Sequence, residues 1–179
     1  MKAMRDTSSP ERIVEVAQTY SQGDPHKGID SGQYTHIWVA FDWDGNTDQV
    51  RRAIKAANNS KIKVALSNPS FEVWIIWHFK QYRQYGCSCD DVALALKRCW
   101  PRYAKGDACD FASQYMIREG MEDARRQARN MRQFFNDNGY TFPEDRPSSD
   151  IDKLINEIIH TWEQARPGEQ CPLGGYNPS

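Results

Sequence analysis

The chain has no apolar run long enough to cross a bilayer, and its N-terminus carries no apolar signal segment. Both absences argue against a helical membrane protein or an exported one, so a soluble, cytoplasmic protein without a membrane partner is expected. Cysteine is sparse too. The five cysteines make no disulfide framework: Cys87 and Cys89 are one residue apart, and Cys99, Cys109 and Cys171 stand alone. An odd count without a signal peptide fits reduced thiols. Cys87, Cys89, Cys99 and Cys109 lack the C-x2-C pair or the histidine that would complete a zinc pattern. Charge of one sign is also missing. The net charge of −1 gives no global pull toward nucleic acid, although a local basic patch stays compatible with it. There are no internal repeats and no low-complexity blocks.

Aromatic residues, by contrast, are plentiful: six Trp, eight Tyr and seven Phe. Large rings fill a core with few residues, and 179 residues suffice for one domain with a substantial interior. Ser9-Pro10-Glu11-Arg12 reads as a helix start, with Pro10 at the first helical position and Ile13, Val14, Ala17 and Tyr20 at helical spacing. Gly23 to Gln33 reads as a loop. His36–Phe41 is continuously apolar, as in a strand covered on both faces. Asn46 with Gln49 fits a capping box for a helix whose stripe is Val50, Ala53, Ile54 and Ala57. Ile62–Leu66 is a second strand. Strand, helix and strand at this spacing predict a right-handed βαβ unit with parallel strands, hence an α/β fold.

Beyond that unit the pattern is helical. Ser70 is expected to cap a helix that puts Phe71, Trp74, Ile75, His78, Phe79 and Tyr82 on one face. Further helices are expected over Asp90–Trp100, Asp110–Asn138 with a break near Gly120, and Ser149–Arg166. Pro143 to Pro147 is a loop. The tail from Pro167 reads as frayed.

The chemistry gathers where the two strands end. His36–Asp44 reads HIWVAFDWD, an apolar run ending in carboxylates. In open α/β sheets, ligands bind beyond the carboxyl ends of the strands. Asp42 sits at that end of the first strand, and in extended backbone Asp44 would point the same way. Glu72 follows the second strand through the Ser67-Asn68-Pro69 break. Three carboxylates at one rim suit a hard cation such as Mg2+ or Mn2+, and with it phosphoryl transfer or phosphodiester cleavage. Each also has a plainer explanation. Asp-x-Asp-Gly-Asn is good turn chemistry, and a glutamate in a first helical turn suits the macrodipole. His78, on the apolar stripe, reads as a core histidine that supports the site from behind. Arg118, Arg125, Arg129 and Arg132 share a helix face, but interspersed acids mark it as a solvated one.

The combination of WVAFDWD with KVALSNPSFEVWIIWHF resembles the RloB-like family, a phage-defence and abortive-infection group with a Toprim-type core. The second motif of that family matches here at Ser67, Asn68, Pro69, Phe71, Glu72, Trp74, His78 and Phe79, and its D-x-D at Asp42 and Asp44. The likeness runs more loosely through Tyr103, Lys105 and the later helices, from about Ser9 to Trp162. It implies a Toprim-like parallel sheet with a helical C-terminal half. The domains would be a partial α/β core over 9–82, a helical extension packed on it over 83–166, and a flexible tail over 167–179. It implies a Mg2+-dependent nuclease in which Asp42, Asp44 and Glu72 are metal ligands and catalytic groups and Ser67, Asn68 and His78 support them. A nucleic-acid substrate and a co-encoded defence ATPase are the implied partners. Family members begin with a strand ending in Glu-Gly, which does not precede the Ser9–Gln22 helix here. The expectation is therefore an N-terminally truncated chain that holds metal yet cleaves slowly or not at all.

Two other classes fit parts of the sequence. Asp42-Trp43-Asp44-Gly45 also resembles the D-x-D-G of haloacid-dehalogenase-type phosphatases, with Ser67 as a phosphate-binding hydroxyl. The downstream lysine and acidic pair at a strand end are not evident. A non-catalytic regulatory module of a defence complex is the third reading.

Overall fold

The computed structural model describes residues 9–103, 120–169 and 171–173. Its architecture is α/β, with a small sheet between two helical layers. The chain order is α1 (Pro10–Gln22), β1 (Trp38–Asp42), α2 (Thr47–Asn59), β2 (Lys63–Asn68), α3 (Glu72–Trp77), α4 (Cys89–Cys99), α5 (Met121–Asp137), β3 (Ser148–Ser149) and α6 (Ile151–Ala165). β1 and β2 are parallel, with Asp42 opposite Ser67. β3 is antiparallel to β2 and pairs Ser149 with Ser67 and Ser148 with Asn68. β1 has no strand on its outer side among the described residues.

Alternation along the strands divides the core. Val39, Phe41, Val64 and Leu66 face α1 and α2, where Val14, Ala17, Val50, Ala53 and Ala57 are buried. Ala65 and Trp38 face the other layer, built from α3, α4, α5 and α6. Local signals account for the helix ends. Ser9 caps α1 by accepting from Arg12 N at 3.4 Å, and Pro10 takes the first helical position, where a missing N–H costs nothing. Asn46 caps α2 by accepting from Gln49 N at 3.2 Å. Ser88 and Asp91 form a full capping box on α4.

α3 departs from expectation. Its cap position is Phe71, with no side-chain capping bond, and Ser70 is buried instead. It has six residues rather than a long amphipathic face, and Val73 through Trp77 are all fully buried. Phe79, expected on the inward stripe, is exposed. An isolated helix shorter than about 12 residues is marginal in water, so α3 exists because the core encloses it on every side. The tryptophan Nε1 of Trp77 donates to the carbonyl of Tyr82 at 3.1 Å and closes the chain beneath it.

α5 begins at Met121, with Gly120 as its cap, and ends at Asn138-Gly139. The expected stretch from Asp110 to Glu119, with Arg118, lies outside the described residues, as does Cys109. Three of the four arginines of α5 face acids: Arg125 meets Glu122, Arg126 meets Asp123, and Arg132 reaches Asp152 at 2.5 Å, while Arg129 is exposed. Asp152 is almost fully buried. Burial raises its pKa, and the Arg132 guanidinium opposes that rise. This pair ties α5 to α6. No helix among the described residues is long and apolar enough to cross a membrane.

Candidate functional site

β1 and β2 end side by side, and their carboxyl ends form one rim. Trp43 N donates to Ser67 O at 3.0 Å, and Asp44 N donates to Pro69 O at 3.3 Å, so the chain stays tied to β2 past its last strand residue. Asp42 is half-buried at the strand end and Asp44 is exposed two residues on. Asp44 does not continue the extended backbone. Its φ is 46° and that of Gly45 is 85°, so the chain turns through left-handed conformations into α2. Aspartate tolerates this region better than most residues, and glycine adopts it without steric cost. The parallel orientation of two alternate strand residues therefore fails at this pair. Cys89, at the start of α4, closes the rim with Sγ 4.0 Å from Asp44 Oδ1 and 3.9 Å from Pro69 O.

Glu72 begins α3 behind the Asn68-Pro69 turn. Its Oε1 accepts from the Tyr103 hydroxyl at 2.9 Å. Among the described residues, no three His, Cys, Asp or Glu side chains form a group able to hold a metal ion. Asp42 and Asp44 share the strand-end rim, whereas Glu72 is engaged toward Tyr103. A two-carboxylate arrangement still suits Mg2+, which takes one or two protein carboxylates and completes its shell with water and phosphate.

The supporting residues have separate tasks. Ser67 is buried, with its Oγ 3.2 Å from Ser149 Oγ, so it links β2 to β3 and does not offer a hydroxyl to a ligand. That removes the phosphate-binding hydroxyl which the phosphatase likeness requires. Asn68 is fully buried and donates from Nδ2 to Pro143 O at 3.2 Å and to Asp145 Oδ1 at 2.7 Å. His78 lies at the far end of α3, where Nδ1 donates to Trp74 O at 2.9 Å and the ring meets Trp74 edge-on at 5.1 Å. Burial pushes its pKa down, and the backbone contacts at Trp74 and Ile75 oppose the shift. A neutral ring locked in the core matches a structural role.

β3 brings further residues to the rim. Because it runs antiparallel to β2, the residues just before it, Asp145 to Pro147, lie at the carboxyl end of β2. Asp145 is held by Asn68 and by Ser148, whose Oγ donates to Oδ2 at 3.4 Å. Burial raises its pKa, and the bond from Asn68 offsets part of the rise. Arg146 lies with its guanidinium carbon 4.7 Å from the centre of the Trp43 ring, between the two aspartates in sequence. An open cavity of about 380 Å³ adjoins this loop on the β3 side, lined by Arg132, Asp145, Ser148, Asp150 and Lys153 among others. It includes none of Asp42, Asp44 and Glu72. Sequence reasoning missed Asp145 and Arg146, because a two-residue strand has no periodicity to read.

Fold and site together define an α/β protein whose parallel pair ends in an acidic rim. The chain belongs to the RloB-like protein family: the family profile matches residues 1–158. No curated protein and no solved structure matches it.

Proposed function

We infer that the chain is a Mg2+- or Mn2+-dependent nucleic-acid phosphodiesterase of a phage-defence system, with a Toprim-like core. The observation that carries this reading is the parallel β1–β2 pair, which ends in Asp42 and Asp44 beside the Asn68-Pro69 turn, in a member of the RloB-like family. Asp42 and Asp44 would hold the cation, which when bound activates water and offsets phosphate charge. Glu72 handles the proton, with the Tyr103 hydroxyl orienting its carboxylate. Asn68 fixes the turn between β2 and α3, and His78 steadies the far end of α3. A co-encoded ATPase is the proposed partner.

The engagement of Glu72 by Tyr103, away from a three-carboxylate cluster, favours a second reading: a non-catalytic module in a defence complex. One experiment separates the two. The chain, alone and with a co-encoded ATPase, is incubated with single-stranded DNA, duplex DNA and tRNA. Cleavage is expected in Mg2+ and lost in EDTA and in Asp42→Asn. Inertness of every form supports the non-catalytic module. Release of inorganic phosphate from small phosphoesters without strand cleavage supports a phosphatase.

A further inference from the structure

Among the described residues, the rim holds a cation that the proposed chemistry has not used, Arg146. Arg12, Arg52, Arg125, Arg126 and Arg132 each pair with a carboxylate, and Arg51, Arg83, Arg98, Arg102, Arg129 and Arg166, which have none among the described residues, are exposed. Arg146 pairs with none among the described residues, although it is half-buried and follows Asp145 directly. Asp145 is committed elsewhere, to Asn68 and Ser148. Arg146 Nε is enclosed, with no acceptor within hydrogen-bond reach. The nitrogens left to meet an anion are therefore Nη1 and Nη2. With Nε buried and unpaired, the half-buried guanidinium gains from an anion that its outer nitrogens can still reach.

Its position is held firmly. The Arg146 carbonyl accepts from Gly86 N at 3.0 Å, and its own N–H donates to Glu144 O at 2.8 Å. The Trp43 ring beneath the guanidinium is fixed by Nε1 donating to Thr47 Oγ1 at 2.9 Å. Stacking on an aromatic face leaves the planar fork of an arginine oriented for an oxyanion, which a lysine could not match. Burial pushes the nearby Cys87 thiol up to about 11, and the Tyr82 hydrogen bond and then the Arg146 charge draw it back.

We propose that Arg146 is the phosphate-binding residue of this rim. Its guanidinium, seated on Trp43, takes a non-bridging phosphate oxygen of a nucleic-acid strand laid across the ends of β1 and β2. The assignment rests on the nuclease reading for its ligand class. The contact is to the backbone, so it is independent of base sequence.

The test is fluorescence anisotropy of labelled single-stranded DNA and RNA oligonucleotides with the full chain, in EDTA, over a series of salt concentrations. Arg146→Gln is expected to weaken binding by about tenfold for both strands and to reduce the slope of log affinity against log salt by about 1. Arg129→Gln, an exposed arginine on α5, should change affinity less than about twofold. Melting curves establish that each variant folds. Should Arg146→Gln fail to fold, Arg146→Lys decides the matter, since it keeps the charge but loses the fork and should weaken binding by a smaller factor. Unchanged affinity and slope in the folded Arg146 variants overturn the assignment. So do equal losses in the Arg129 variant, and so does a wild-type chain that binds neither strand. Because metal is absent, a chain that binds through Arg146 yet never cleaves removes the catalytic reading alone. A chain that cleaves in Mg2+ while the Arg146 variants bind as wild type removes only this site.

Discussion

Asp145 shows how a single carboxylate can weigh on the fold that encloses it. Burial raises its pKa, Asn68 and Ser148 oppose that rise, and the charge of Asp150 adds to it. Between the ordinary carboxylate pKa of about 3.9 and the raised folded value, the folded chain binds more protons than the unfolded one. Stability from this group is therefore lost as pH rises through that window. Asp145→Asn keeps an amide oxygen to accept from Asn68 and removes the charge. Thermal melts at about pH 4 and at neutrality should show the variant gaining on wild type at the higher pH. A 1 kcal/mol gain corresponds to about 2–4 °C in a chain of this size. An equal difference at both pH values would mean that Asp145 titrates normally. Other residues were legible from local sequence alone. Asp42 was placed correctly at a strand end because an apolar run stops there. The orientation of Asp44 was not, because it depends on a left-handed turn pinned by Pro69 O, a partner distant in sequence.

At the scale of elements, the contact between α3 and α5 is the tightest that a glycine permits. A β-carbon on Gly120 would lie 2.6 Å from His78 O and 2.7 Å from His78 Cβ. The φ of Gly120 is −114°, open to any residue, so glycine is needed here for room and not for conformation. Gly120→Ala must push the start of α5 away from the end of α3, since a backbone oxygen cannot rotate aside. The expected cost is about 1–3 kcal/mol, read as a lower urea midpoint at unchanged slope. A midpoint within error of wild type would show that the two helices slide apart freely. Helices with surface faces and capping residues, α1, α2 and α4, were readable within a residue or two. α3 was misjudged as amphipathic because burial on all sides is a property of its neighbours. β3 could not be seen at all, since two serines form a strand only where β2 offers them an edge.

The whole molecule decides whether the rim acts as a cation site. Asp42 and Asp44 stand at one strand end, and their repulsion should be relieved by a divalent ion. An ion that binds the folded chain alone stabilises it by mass action, by about 2.7 kcal/mol at a hundredfold excess over Kd. Mg2+ or Mn2+ should therefore raise Tm, by a shift that grows with concentration and vanishes in Asp42→Asn. A shift of equal size in that variant would place the cation elsewhere.

The sequence by itself determined the βαβ unit, the caps of its helices, the family and the carboxylates that close the first strand. These follow from periodicity, turn chemistry and motif spacing, which act over a few residues. The tertiary structure alone decided three things. It engaged Glu72 with Tyr103, it buried Ser67 against Ser149, and through the antiparallel β3 it carried Asp145 and Arg146 to the rim. Each is a meeting of residues more than thirty positions apart, set by how layers pack and not by any local preference.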